Sequence, residues 1–494
     1  MSRPSICKMD TVHFTHFCRF WAVVASSLFS GCMVVGTDYS RPEMITPDAW
    51  HQSVSADLKT GSSSLSTWWD KFHDPTLNRL IRTARDSNRS LAIAYERINE
   101  ARASLGVSRS QLFPTVDFDG SVTRNRTTQN LFSSDPPNGK TTDIYATGLT
   151  AGWEIDVFGG IRRSIESASA TAEGMEELYR DAMVSLLADV ALSYIEIRTF
   201  EERLVVARRN LDAQQKSLDL TQARLEAGLS PELDVAQAET NLSNTQAIIP
   251  QLLNGRSQAV NRLSVLLGKY PSATETLLKG SKGIPGIPSS SFVGIPADLL
   301  RSRPDVRAAE RNLAAQNARV GVAEAELFPR FSLAGTFELQ SLAGSTLLES
   351  RSRDYGFGPS FSWNIFNAGS VRNQIAIEES RTKQLYMAYE ETVLSAVSEV
   401  EDSLASVKNE RERLSALRRA TNSATKAEEL VTTNYTEGLV DFQNVLDAQR
   451  TVASTEDALA TSQGTIAAGY VSLFRALGGG TPMKPAAVDP DGKP

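Results

Sequence analysis

Cys32 stands where chemistry would be done to it. It closes the stretch Leu28-Phe29-Ser30-Gly31-Cys32, which follows a short apolar run, Phe20-Trp21-Ala22-Val23-Val24-Ala25, with Lys8 and Arg19 upstream. Basic residues, a short apolar run and small residues before a cleavage point are the parts of a secretion signal, and this run is too short to span a bilayer. Small residues directly before a cysteine fit a lipoprotein signal. Residues 1–31 would be removed and Cys32 would carry a covalent lipid, with Phe29 where leucine is usual. The alternative is an ordinary signal peptide in which Cys32 is incidental.

The inventory of reactive side chains excludes much else. Cys7 and Cys18 leave with the signal, so the body holds no pair of thiols for a disulfide. Of four histidines, His13 and His16 also leave, and only His51 and His73 remain, both near the N-terminus. A histidine–cysteine metal centre or a histidine-based catalytic centre in the body is therefore excluded. Loss of Arg3, Lys8, Arg19 and Asp10 takes the formal net charge from −7 to −9. That balance disfavours nucleic acid as a partner. No later segment approaches about twenty continuous apolar residues, so a membrane could be crossed only by strands.

The body is duplicated. Val190, Ile197, Leu204, Leu211, Leu218 and Leu225 fall seven residues apart, and the run returns as Val400, Val407, Leu414, Thr421, Glu428 and Tyr435. A seven-residue apolar period keeps one seam of a helix against a partner, as in coiled coils. The first long helix is expected over residues 160–227 and the second over 370–437, roughly 100 Å each at 1.5 Å per residue. Each ends at a glycine turn, Gly228 or Gly438, followed by a shorter helix, 231–268 or 441–477. Ser230 can cap the first of these with Pro231 in its first turn, and Asp441 can cap the second. Each half opens with a further helix, from about Leu77 to Leu112 and from Pro304 to Leu327, stopped by Phe113-Pro114 and Phe328-Pro329.

Strand patterning lies between the opening helix and the long helix of each half, in residues 115–157 and 330–366. Val116, Phe118 and Val122 alternate with polar residues, and the return strand carries Tyr145, Leu149, Trp153 and Ile155 beyond the turn Asp135-Pro136-Pro137-Asn138-Gly139. Phe331, Leu333, Phe337 and Leu339 alternate in the second half, and Tyr355, Phe357, Pro359, Phe361, Trp363 and Ile365 share a face of the last strand. Apolar residues on one face with small or polar ones on the other fit a transmembrane barrel strand; a soluble sheet with one buried face would alternate too. Four strands cannot close a barrel, for which about eight is the minimum, so several chains must pool them. Two copies would supply eight strands and three would supply twelve. The chain thus divides into a signal (1–31), a lead (32–76), a first repeat (77–278), a linker (279–296), a second repeat (297–478) and a disordered tail (479–494). Strand pairs, long helices and turns so repeated build a tube.

Several motifs along this plan resemble the TolC-like outer-membrane factor family, in its branch of outer-membrane efflux lipoproteins serving multidrug (RND-type) pumps. They are Val35-Gly36-Thr37-Asp38-Tyr39-Ser40-Arg41-Pro42, with Thr37 where proline is usual, Trp68-Trp69-Asp70-Lys71-Phe72-His73-Asp74-Pro75-Thr76-Leu77, and Arg303-Pro304-Asp305-Val306-Arg307-Ala308-Ala309-Glu310. The joints Trp153-Glu154-Ile155-Asp156-Val157-Phe158-Gly159 and Trp363-Asn364-Ile365-Phe366-Asn367-Ala368-Gly369 complete them. The resemblance implies an α+β membrane protein: a homotrimer with four strands per protomer in a twelve-stranded outer-membrane barrel, continuous with a long periplasmic α-helical coiled-coil barrel. It implies a periplasmic adaptor (membrane fusion) protein and an inner-membrane pump as partners, outer-membrane lipid around the strands, and no cofactor beyond the lipid on Cys32.

The same resemblance implies a gate and a docking surface at the glycine turns. Asp447 matches an acidic ring residue, and Asn444 stands where some members carry a second aspartate. Tyr435 and Asp234 match positions that link neighbouring helices when the duct is shut. Arg224, Leu225, Gly228, Leu229, Gly438 and Leu439 match the adaptor-docking turns. Ordinary capping and a favourable helix dipole would also account for acids and glycines here. The expected function is a passive exit duct for drugs or other small molecules, without catalysis. A structural coiled-coil lipoprotein tethering the envelope and a type I secretion duct are the alternatives, and a hydrolase working through paired carboxylates is the least supported.

Overall fold

The computed structural model describes residues 34–43, 49–51, 58–59, 65–126, 128, 141–280, 283–286, 291–292 and 301–480. The signal, Cys32, the turn at 135–139 and all of the tail beyond Gly480 lie outside the described residues. The helices are α1 (Pro75–Ser87), α2 (Arg89–Ser110), α3 (Gly160–Glu226), α4 (Glu232–Leu266), α5 (Pro271–Leu278), α6 (Pro304–Ala325), α7 (Ser370–Thr436) and α8 (Phe442–Ala476). The longer strands are β1 (Thr115–Arg126), β2 (Thr141–Ile155), β3 (Arg330–Ser341) and β4 (Arg353–Ser362). α3 and α7 are each 67 residues long, and α4 and α8 are each 35.

The compact units are not the two sequence halves. One unit comprises described residues up to Arg41 with Glu100–Glu173 and Arg311–Met387; the other comprises described parts of Pro42–Asn99, Gly174–Glu310 and Ala388–Pro494. Each therefore draws on both halves.

In the first unit all four strands form one antiparallel sheet in the order β1-β2-β3-β4. The strands from the two halves join where Leu149 lies opposite Phe337 and Trp153 opposite Leu333. This register puts Val116, Phe118, Val122, Leu149, Trp153, Leu333, Phe337, Tyr355, Phe357 and Phe361 on one face, and every one of them is exposed. The other face carries Asp117, Asp119, Thr150, Thr336, Glu338, Gly356 and Ser360. At Gly148 a Cβ would meet the backbone of Glu338 at 2.5 Å, so the close crossing of β2 and β3 demands glycine.

The last strand is shorter than its alternation suggests. β4 stops at Ser362, and the next residue, Trp363, donates its indole Nε1 to the Leu327 carbonyl at 3.0 Å, just beyond α6. Trp153, still within β2, makes the equivalent bond to the Leu112 carbonyl at 2.9 Å. The lead is strapped beside these joints. Val35 N–H donates to the Phe158 carbonyl at 3.0 Å, and buried Arg163 donates to the carbonyls of Val35 (3.0 Å) and Gly36 (2.9 Å) and pairs with Asp38.

In the second unit the stretch expected as one helix from Leu77 to Leu112 begins as two. Asn88 divides them: its N–H closes α1 onto Ala84, its Oδ1 accepts from Leu91 N–H at 2.8 Å, and its Nδ2 donates to Leu266 at 2.8 Å. α5 is an additional short helix after α4. The heptad seams are the core. Val190, Ile197, Leu204 and Leu218 are buried on α3, as are Val400, Val407, Leu414, Thr421 and Tyr435 on α7. Trp68 and Phe72 join this core, Trp68 stacking on Phe474 at 5.3 Å. Each fully buried side chain of this size contributes about 1.5–3 kcal/mol.

Candidate functional site

The two glycine turns come together in the second unit. Gly228 and Gly438 have φ of 71° and 73°, a conformation costly for residues with a Cβ. Each turn closes by the same pair of backbone bonds. Gly228 N–H donates to Leu225 and Leu229 N–H to Arg224; Gly438 N–H donates to Tyr435 and Leu439 N–H to Asn434. These satisfy carbonyls that a helix end would otherwise leave open.

Tyr435 is the centre of the arrangement. It is 4% exposed and packs at 5.4 Å from Phe442 in a cluster with Leu218, Ala238, Leu242, Val445 and Leu446. Its hydroxyl lies 3.1 Å from Ser230 Oγ. Ser230 therefore does not cap α4; Pro231 holds the N-cap position without a side-chain bond. Asp441 does occupy the N-cap of α8, but its carboxylate makes no capping bond.

Arg224 faces inward. Its Nη1 donates to the carbonyls of Tyr435 (3.1 Å) and Thr436 (3.2 Å), and its guanidinium sits 4.7 Å above the Tyr435 ring. A cation on the carbonyls that end α7 is favoured by the helix dipole as well as by the hydrogen bonds. Its Nε is buried and finds no hydrogen-bond partner among the described residues.

The acids differ in setting. Burial, with the nearby charge of Asp441, pushes the Asp234 carboxyl above the ordinary carboxylate range, and Arg224 opposes this. Asp447 is exposed; Gln443 donates to it at 3.0 Å and Arg450 lies 3.8 Å away. Asn444 donates to the Asp441 carbonyl at 3.3 Å, one turn from Asp447. Leu229 and Leu439 are exposed at the turns, with Leu233 beside them, while Leu225 is half-buried.

The expected gate and docking residues thus gather at one end of a helical bundle. Ser230 and Phe442 belong to the same arrangement as partners of Tyr435, and the sequence marked neither in that role. Among the described residues, no three His, Cys, Asp or Glu side chains gather to hold a metal ion, and no helix is long and apolar enough to cross a membrane. Cys32 lies outside the described residues.

Comparison with known proteins gives the family. The sequence matches the family described as outer membrane efflux protein over residues 80–269 and 295–479. It is 34% identical to nodulation protein T of Rhizobium leguminosarum bv. viciae, over 94% of each chain. It is 32% identical to the solvent efflux pump outer membrane protein SrpC of Pseudomonas putida, over 92% of this chain and 96% of that one. The fold superposes on the outer-membrane channel OprN with a TM-score of 0.85 and 35% identity, covering 90% of this chain and 99% of that one. With both halves matched and relatives of this identity along nearly the whole length, the chain belongs to the outer membrane efflux protein family.

Proposed function

We propose that this protein is the outer-membrane exit duct of a tripartite efflux system. It passes small molecules handed on by an adaptor and an inner-membrane pump, and performs no catalysis. The observation that carries the reading is the four-stranded sheet with an exposed apolar face and two edges, β1 and β4, that pair with no further strand among the described residues. An open edge inside a bilayer leaves backbone groups without partners, so the edges must meet other chains. Three protomers give twelve strands, with the apolar face toward lipid and the face of Asp117, Asp119 and Glu338 toward the lumen. The lipid on Cys32 anchors the lead, which is strapped at the strand-to-helix joint.

At the glycine turns, Tyr435 and Asp234 act as restraints, while Asp447 and Asn444 line the closed aperture. Three Asp447 carboxylates near one axis favour cations. The adaptor docks on the turns through exposed Leu229 and Leu439, with Gly228, Gly438, Leu225 and Arg224 shaping that surface.

The test is assembly and conduction. The acylated protein, extracted from outer-membrane fractions, should run as a heat-modifiable trimer and form ion-conducting channels in planar bilayers. A monomer that stays in solution without detergent would overturn the proposal.

A further inference from the structure

Beside the apolar heptad of α3 runs a second, polar one, displaced by a single residue: Arg203, Asn210, Ser217 and Arg224. The first three meet α8, and all three contacts are made of polar groups. Arg203 grips Asp457 through two bonds, Nε to Oδ1 at 2.7 Å and Nη2 to Oδ2 at 3.0 Å. Asn210 Nδ2 donates to Glu456 Oε2 at 3.2 Å, and Arg209 Nη2 pairs with the other oxygen of that carboxylate. Ser217 Oγ accepts from Gln449 Nε2 at 2.7 Å. Only Arg224 departs from the series, reaching the end of α7 instead.

This ladder differs from the restraint at the turns in what it holds. Arg224 and Ser230 fasten the end of α7; Arg203, Arg209 and Asn210 fasten α8. Glu456 is set back from Phe442, the start of α8, by roughly 21 Å of helix at 1.5 Å per residue. The layer is also unlike the apolar clusters around it. The seam of α7 is polar at this level, with Thr421 and Glu428, and the buried Gln214 Oε1 and Thr421 Oγ1 find no partner among the described residues. Apolar knobs-into-holes packing leaves registers one heptad apart similar in energy, whereas a bidentate arginine–carboxylate pair selects one.

We infer that Arg203–Asp457 and the Arg209–Glu456–Asn210 group form a second latch, which holds the α7–α8 hairpin to α3 after the contacts at the turns have been released. The inference rests on the duct reading and deepens it. Arg203, Arg209, Asn210, Glu456 and Asp457 are positioning residues, acting on the aperture through α8 and touching no cargo.

Two restraints on one hairpin have a definite signature. Loss of the latch alone leaves the turns fastened, loss of the turn contact alone leaves the hairpin tethered farther back, and loss of both frees it. Open probability should be measured in planar bilayers at low salt for the full-length trimer, for Tyr435→Phe, for Glu456→Gln with Asp457→Asn, and for the three changes together. The combined variant should exceed the product of the separate effects by about fivefold, the joint measure of two partly exposed ion pairs. Asp457→Glu with Glu456 intact should restore the behaviour of Tyr435→Phe alone, which a loss of general stability would not explain. A combined variant equal to Tyr435→Phe alone overturns the latch. Wild-type protein that forms no channels at all overturns the duct reading, and the latch with it.

Discussion

Arg224→Ala is the sharpest perturbation of the turns. The side chain gives two hydrogen bonds to the carbonyls of Tyr435 and Thr436 and a cation over the Tyr435 ring. Charge-assisted bonds at a half-buried site contribute about 1.5–3 kcal/mol and the ring contact about 0.5–1 kcal/mol. Against this stands the buried Nε without a partner, whose desolvation costs about 1 kcal/mol and disappears with the side chain. The net loss is about 2 kcal/mol, which shifts a closed–open equilibrium about thirtyfold. Planar-bilayer recording of the purified trimer is the suitable assay, because no adaptor is present and any docking role of Arg224 is silent there. Open probability should rise by that order. Arg224→Lys, which keeps the charge but loses the forked geometry, should fall between. Wild-type gating in Arg224→Ala would refute the assignment of this contact as a restraint.

Three further outcomes are expected. Phe361→Arg puts a charge on the apolar face of β4, costs about 2–4 kcal/mol if the residue lies near the bilayer midplane, and should deplete the heat-modifiable trimer. Ser360→Arg, on the opposite face, should leave it in place, and equal loss in both would contradict the facing of the sheet. The raised Asp234 carboxyl binds its proton more tightly in the folded turns than when free. Its contribution is therefore complete below its ordinary pKa of 3.8 and is lost as pH rises through the raised value. Melting of the wild type should show this decline and Asp234→Asn should lack it; parallel profiles would rule it out. Cys32→Ser should abolish incorporation of labelled palmitate, and continued labelling would place the lipid elsewhere.

How much of this was legible differs by element. The heptads of α3 and α7 were readable because a seven-residue period has few other physical causes, and each seam residue is buried or half-buried. Strand alternation was readable for the same reason. Its reach was overestimated at Trp363 and Ile365, where alternation continues but strand pairing has ended at Ser362. Asn88 divides a helical pattern without proline or glycine, through side-chain bonds that need Leu266 of a distant helix.

Periodicity, turn glycines and residue inventory belong to the chain alone, because each expresses a local preference or a simple absence. From them came the long helices and the positions of both hairpins. Tertiary structure decided what those elements meet. The strands of two sequence halves became neighbours in one sheet, Ser230 became the partner of Tyr435 rather than a helix cap, and Arg203, Asn210 and Ser217 became a polar ladder on α8. Such residues look like a solvated helix face in the sequence, since polarity shows only that a side chain needs a partner. Whether water or another helix supplies that partner is settled by packing.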